Sequence, residues 1–294
     1  MSGSSVARHR GLGRQIVLMA RMIKIEHSIF ALPFAYIGLF LAAKGWPGAA
    51  PFGLLTLAMV AVRSFAMLMN RLVDLPFDRH NPRTMDRPLV TGEMGLLGAI
   101  TASVVCAGVF IGAAAALNSL CFILAPFALL WSAGYSVAKR FTWLTHFWLG
   151  SVLGLAPVAG WIAFDPVLVP TAGLYFFGVL FWVAGFDILY SCQDVAVDRF
   201  MGLYSIPARF GIAPALLLAC FSHVTASLFF LMAGWTAGLG GIYFATWALV
   251  SGLLVGEHRL IAADDLRRIN VAFFTFNGLI AMLLGASVVW EMLG

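Results

Sequence analysis

Charge is what this sequence has least of. Only 11% of its 294 residues are Asp, Glu, Lys or Arg, against about a quarter in soluble domains. A soluble globule cannot be covered with so little polar surface. Nor is there any long hydrophilic insert, so residues 1–294 are expected to form a single membrane domain. Cysteine is also scarce: Cys106, Cys121, Cys192 and Cys220 all lie in apolar segments without C-x-x-C spacing. They read as packing residues, and neither a disulfide frame nor a zinc or iron site is expected. Residues 1–17 are basic but lack a cleavage site of small residues, so the first apolar segment is expected to be retained. The pI near 9.3 raises the question of nucleic acid. The basic residues, however, are spread over five membrane-flanking segments, which suits a topology signal and anionic lipid headgroups and excludes a nucleic-acid partner.

What fills the chain instead is apolar: 62% of residues are hydrophobic and the mean hydropathy is +0.95. Since about 20 apolar residues cross a bilayer, the pattern predicts an all-α polytopic membrane protein of nine spans around a central apolar chamber. The spans are 18–43, 52–73, 95–116, 118–137, 143–164, 169–191, 213–234, 238–255 and 270–292. Arg8, Arg10, Arg14, Arg21 and Lys24 open span one, and Arg71, Arg79, Arg83 and Arg87 follow span two. Lys139 and Arg140 follow span four, Arg199 and Arg209 span six, and Arg259, Arg267 and Arg268 span eight. Every basic residue except Lys44 and Arg63 thus falls on one side. The positive-inside bias predicts an inner or plasma membrane protein with its N-terminus and even-numbered loops in the cytoplasm and its C-terminus outside.

Two acidic motifs break the apolar pattern, each at the cytoplasmic end of an even-numbered span. The first runs Asn70, Asp74, Asp78; the second Asp187, Asp194, Asp198; both contain D-x-x-x-D-R. Steps of four and seven keep one stripe of a helix, so each pair of carboxylates can grip one divalent cation. One motif alone would equally suit an Asp capping a helix or opening a solvated loop. Two in matching places point to a functional site and hint at an internal duplication, since carboxylates beside hydrocarbon are costly. Their ligand type suits Mg2+, which joins one or two carboxylates to substrate phosphates. Arg71, Arg79, Lys139, Arg140, Arg199 and Arg209 lie near these acids and can neutralise a diphosphate. Pro76, inside the first motif, is expected to loosen or end its helix. The loops 81–92 and 201–211 are expected to cap the site.

Asn70-x-x-x-Asp74-x-x-x-Asp78 and Asp187…Asp194-x-x-x-Asp198 resemble the two aspartate-rich motifs of the UbiA superfamily of intramembrane prenyltransferases. Arg87-Pro88-Leu89 with Gly92, Tyr135-x-x-x-Lys139-Arg140, and Ser205 to Gly211 extend the resemblance over nearly the whole chain. The opening Arg21…Lys24-x-Glu26-His27, with the second motif and its loop, is most similar to the 4-hydroxybenzoate polyprenyltransferase-like enzymes of quinone pathways, in particular the menaquinone branch of the futalosine route. One departure is Arg71, which follows Asn70 where many members carry an acid.

The resemblance implies transfer of a polyprenyl group from its diphosphate to a ring carbon of an aromatic acid, a hydroxybenzoate or a dihydroxynaphthoate. Asn70, Asp74, Asp78, Asp194 and Asp198 would hold Mg2+, and Tyr135 would join the basic residues at the diphosphate. Asp187 would take the ring proton or orient its neighbours. Arg63, seven residues deeper than Asn70, needs an anionic partner. By its position it pairs with Asp187 or snorkels; the resemblance implies instead that it holds the acceptor's carboxylate. His146 reads as a satisfied buried histidine or a chamber residue, and His223 as core without an acidic neighbour. Haem, chlorophyll or lipid-glycerol acceptors, and a transporter or lipid carrier without chemistry, are the competing readings.

Overall fold

The structure is a computed structural model that describes residues 18–19, 22–23, 31–269 and 272–294. Arg8, Arg10, Arg14, Arg21, Lys24, Glu26 and His27 lie outside the described residues. The long helices are α1 (Leu32–Ala43), α2 (Ala49–Asp78), α3 (Leu96–Leu117), α4 (Ser119–Ala138), α5 (Thr145–Phe164) and α6 (Pro170–Ser191). A 3₁₀ turn (Cys192–Asp194) and two short helices, α7 (Val195–Phe200) and α8 (Ile206–Phe210), lead into α9 (Ile212–Thr236) and α10 (Gly241–Leu260). A π-helical turn (Ala272–Phe276) then opens α11 (Asn277–Leu293). Among the described residues the sole β pairing is an isolated bridge between Ala262 and Asp265.

Helices prevail because hydrocarbon offers the backbone no hydrogen-bond partner, so each segment must satisfy its own amides and carbonyls. Among the described residues seven segments are long and apolar enough to cross a membrane: α2, α3, α4, α5, the run Pro170–Phe200, α9 and Phe273–Leu293. The chain is therefore an integral membrane protein. Helices α1 and α10 occupy the places of the first and eighth expected spans. The first is described over 12 residues and the second ends in Glu257-His258-Arg259, so the nine expected spans are met by seven on this measure.

Where two helices are joined by almost nothing, side chains supply the caps. Asn118 alone separates α3 from α4. It is fully extended, accepts a hydrogen bond from the Cys121 amide at 2.9 Å and donates to the Ile162 carbonyl at 2.7 Å. Glu291 of α11 accepts from the amides of Gly240 and, at 2.7 Å, Tyr243, meeting the free N–H groups that open α10.

Helix α5 sits between α1 and α6 because its glycines let backbones touch. A Cβ on Gly160 would lie 1.9 Å from the Ala35 carbonyl oxygen of α1, and one on Gly150 2.2 Å from the Leu180 carbonyl oxygen of α6. That contact sets the end of α6, which carries Asp187, against the start of α5. Pro76 does not end α2; the helix continues two residues further to Asp78. The missing Pro76 amide removes a single bond, the one to the Leu72 carbonyl, within the last two turns of the helix, whose final four carbonyls have no intrahelical donor in any case. Asn70, Asp74 and Asp78 therefore do share one continuous helix.

Candidate active site

At the loop-bearing end of the bundle a cavity of about 220 Å³ opens between α2, α4, α5 and α6. From α2 come Arg63, Asn70, Arg71, Asp74 and Asp78; from α4 and its cap, Ser132, Tyr135, Ser136, Lys139 and Arg140; from the second motif, Asp187, Tyr190, Asp194 and Asp198. The two motifs, remote in sequence, thus face one space.

The second motif departs from the regular stripe expected of it. Asp187 belongs to α6, but Cys192–Asp194 form a 3₁₀ turn before Asp198 on α7. The tighter turn re-aims the chain between Asp187 and the Asp194–Asp198 pair, a local irregularity typical of functional hinges.

Each carboxylate meets a nitrogen donor. Asn70 Nδ2 donates to Asp74 Oδ2 at 2.7 Å, and Arg87 Nη1 to Asp78 Oδ2 at 2.5 Å. Arg83 grips Asp194 with both Nε (3.0 Å) and Nη2 (2.7 Å), and its Nη1 donates to the Tyr190 hydroxyl at 3.3 Å. Lys139 Nζ lies 3.2 Å and Ser205 Oγ 2.8 Å from Asp198 Oδ2. Burial works against the charge of Lys139, but the carboxylates of Asp198, Asp194 and Asp187 outweigh it and raise its pKa above the usual value. Burial likewise opposes the charge on Arg83, and the hydrogen bond and charge of Asp194 together with Tyr190 and Asp78 outweigh it, raising the pKa.

Deeper in the cavity the pairing stops. Arg63 is about 10 Å below Asn70 along α2, and its Nε is buried without a hydrogen-bond partner, as are Ser136 Oγ and Thr145 Oγ1. The pairing of Arg63 with Asp187 does not form; Asp187 Oδ2 meets His146 Nδ1 instead, at 2.7 Å. A buried polar atom left alone is costly, so three of them around one cavity suit a polar group of a ligand.

Of the expected basic residues, Arg71, Lys139 and Arg140 line the cavity; Arg140 also reaches α2, donating to the Val73 carbonyl at 2.6 Å. Arg79, Arg199 and Arg209 do not line it and are exposed. Arg79 begins the turn beyond α2. Arg199 Nε donates to the Ala208 carbonyl at 2.9 Å, and the Arg209 guanidinium lies over the Phe210 ring at 5.5 Å. Adjacency to an Asp in sequence places an Arg about 100° away round a helix, off the acidic face. The site also contains residues that sequence reading missed: Asn81, Arg83, Thr84 and Arg87 from the α2–α3 loop, Ser136, Thr145 and Tyr190. By sequence Arg83 and Arg87 both count toward the topology signal, and Arg87 also toward the family resemblance. Arg87-Pro88-Leu89 was the available signal.

The donor set fits magnesium: carboxylates and an amide oxygen in pairs. Among the described residues no three of His, Cys, Asp and Glu converge to hold a metal ion by themselves; Mg2+ commonly takes its remaining ligands from phosphate and water oxygens.

Comparison with known proteins places the chain. Residues 31–279 match the UbiA prenyltransferase family. The chain is 27% identical over 279 residues to a 4-hydroxybenzoate octaprenyltransferase of Cupriavidus necator, covering 94% of this chain and 97% of the relative. It is 29% identical over 274 residues to the enzyme of that name from Burkholderia ambifaria, covering 92% of each. Among solved structures, a UbiA homolog from Aeropyrum pernix K1 superposes with a TM-score of 0.83 at 34% identity, over 92% of this chain and 99% of the other. A UbiA homolog from Archaeoglobus fulgidus bound to DMAPP and Mg2+ shares the fold, with a TM-score of 0.72 at 19% identity over 93% and 98% of the two chains.

Proposed function

The chain belongs to the UbiA prenyltransferase family, and from that premise we propose that it transfers a polyprenyl group from its diphosphate to a ring carbon of a hydroxybenzoate or dihydroxynaphthoate. The observation that carries the acceptor class is Arg63: a guanidinium enclosed in a cavity with Nε unpartnered. A carboxylate supplies the anion it needs. Ser136 and Thr145, also unpartnered on the cavity wall, suit the acceptor's hydroxyl.

Asn70, Asp74, Asp78, Asp194 and Asp198 would hold Mg2+, which when bound supplies positive charge to the departing diphosphate. Arg71, Arg83, Arg87, Lys139 and Arg140 stand at the same mouth and present further charge to the phosphate oxygens. Ionisation of the allylic C–O bond is thereby favoured, and the cation meets an electron-rich ring carbon held over Arg63. Leu149, Val152, Leu153, Phe186 and Phe273 wall the cavity with apolar surface. They exclude water from the cation and accept the tail. Asp187 lines the same cavity and would take the ring proton.

The test is an acceptor panel with purified protein, one polyprenyl diphosphate and Mg2+. Hydroxybenzoate or dihydroxynaphthoate should give prenylated acid and diphosphate in equal amounts, and the matching phenol or naphthol much less. Absence of diphosphate release with every acceptor would leave a carrier; equal use of acid and phenol would remove the role of Arg63. The cavity mouth is assigned to the cytoplasmic side by the basic loops. In a cysteine-free background, single cysteines replacing the exposed residues Met85, Tyr204 and Ala263 should label from that side, and one replacing exposed Val167 from the other. Opposite-side labelling at Met85 and Tyr204 would contradict a shared diphosphate site.

A further inference from the structure

His146, the second residue of α5, is wholly buried. Its Nδ1 lies 2.7 Å from Asp187 Oδ2, and the backbone N–H of Ile206 donates to its Nε2 across 3.2 Å. A backbone amide can only donate, so Nε2 must offer its lone pair. The imidazole is then neutral, its proton is on Nδ1, and that N–H donates to Asp187 Oδ2. The tautomer is thus assigned by the chain itself. Ile206 opens α8 beside Ser205, whose hydroxyl donates to Asp198 Oδ2 at 2.8 Å and whose side chain caps α8 by accepting from the Ala208 amide. One short segment therefore steadies both His146 and Asp198.

We infer that His146 is a positioning residue for prenyl transfer. It fixes the Asp187 carboxylate by Oδ2 and leaves Oδ1, which no hydrogen bond among the described residues holds, for the reacting ring. This rests on the reading of Asp187 as the base. In the reaction the allylic C–O bond breaks with its electron pair leaving on the diphosphate, and a ring electron pair forms the new C–C bond. The ring C–H bond then breaks, its pair restores aromaticity, and the proton passes to Asp187 Oδ1 and on to water when the product leaves. His146 stays neutral throughout, its Nε2 occupied by the Ile206 amide. A base held at one oxygen is preorganised for that proton; a base free to rotate is not.

Two substitutions separate the two bonds of His146. The side-chain amide nitrogen of Asn overlays Nδ1, so His146→Asn keeps the donor to Asp187. The terminal amide of Gln overlays Nε2, so His146→Gln keeps the contact to Ile206 and loses that donor. Turnover is measured with ordinary and ring-deuterated acceptor, after each variant is shown to insert and to melt as a single species. His146→Gln should lower kcat roughly 10- to 100-fold, up to the lower end of the roughly 10²- to 10⁴-fold that a general base contributes, because the base stays present but loses its orientation, with the KM for prenyl diphosphate unchanged. Proton removal should become slow enough for a primary isotope effect that the unaltered protein does not show. His146→Asn should restore kcat to within a few-fold and abolish the isotope effect.

Unchanged kcat and isotope effect in His146→Gln overturn the inference. So does a His146→Asn protein as slow as His146→Gln, because the contact to Ile206 would then be the one that matters. If His146→Gln does not insert, His146→Leu, which also lacks a donor, takes its place under the same criteria. Asp187→Asn tells the two readings apart. If it turns over normally, Asp187 is not the base. If it is slow and isotope-sensitive while His146→Gln is neither, Asp187 stands and His146 falls.

Discussion

Two nests of polar side chains sit inside this apolar bundle, and they are built on opposite plans. One is the cavity around the acidic motifs. The other joins α6, α9, α10 and α11: Trp182 Nε1 donates to Asn277 Oδ1 at 2.7 Å, and Asn277 Nδ2 to Glu257 Oε1 at 3.0 Å. His223 bridges His258 at 2.9 Å and the Trp182 carbonyl at 3.2 Å, with Glu257 Oε2 3.8 Å from its Nδ1. Its imidazole lies on bare backbone, where a Cβ on Gly185 would come within 2.2 Å of the ring. In this nest donors and acceptors answer one another except at Glu257 Oε2, which has no hydrogen-bond partner. Glu257, Asn277, His223 and Trp182 are buried, with no cavity described among them. In the cavity, carboxylates and cations surround an opening, and Arg63, Ser136 and Thr145 have polar atoms that nothing answers. Charge beside hydrocarbon is therefore not enough to mark a site; the mark is unanswered polarity facing space. The closed nest reads as a staple between helices.

The comparison breaks first at the carboxylates. Asp78→Ala and Asp194→Ala should each insert normally yet lower the rate of diphosphate release by at least about 10²-fold, since a metal contributes several kcal/mol of charge stabilisation. Near-normal turnover in both would remove the metal reading. Arg63→Ala comes next. It should weaken use of carboxylated acceptors roughly 10- to 100-fold, matching the loss of a charge-assisted bond of about 1.5–3 kcal/mol, with little change in the KM for prenyl diphosphate. The reverse pattern would put Arg63 in the phosphate site.

The closed nest should respond in stability instead. Asn277→Leu strands the Trp182 N–H and takes a partner from Glu257. Interhelical hydrogen bonds in membranes are worth about 0.6 kcal/mol on average and up to about 1.7, so the melting temperature should fall by about 2–4 °C while kcat stays within about two-fold. Lost turnover with an unchanged melting temperature would make this nest part of the reaction.

What was legible in the sequence was periodicity. The face Arg63, Asn70, Asp74, Asp78 follows from steps of seven and four and survives because α2 runs unbroken through Pro76. The same arithmetic fails for Asp187 and Asp194, since a 3₁₀ turn between them is decided by how α6 meets α7 and α8, not by any residue preference within Tyr190–Asp194. Long-range partners were invisible for the same reason. Arg83 reaches Asp194 only once the α2–α3 loop folds back over the mouth, and Glu257 becomes an acidic neighbour of His223 only when α9 and α10 pack. His146 stood beside no acid in the sequence, and its bond to Asp187 comes from the glycine-mediated approach of α5 to α6.

The smallest expected effect sharpens the comparison most finely, because it sets apart arginines that one sequence rule had grouped together. Arg79, Arg199 and Arg209 each lie close to an acidic motif, and all three are exposed and off the cavity. Arg79→Ala and Arg209→Ala remove charge from the surface and no contact to the cavity, so kcat and both KM values should stay within about two-fold, as for surface changes generally. Arg199 differs from them. Its Nε ties α7 to the Ala208 carbonyl of α8, the helix that also brings the Ile206 amide to His146 and Ser205 to Asp198. Arg199→Ala should therefore cost a few-fold in kcat by loosening that segment, and Arg199→Lys should not recover it, because a single ammonium cannot reproduce the guanidinium's directed Nε–H. Measured side by side, the three variants separate charge from position. Equal losses in all three, growing at low ionic strength, would mean that their field acts on the diphosphate from outside the cavity.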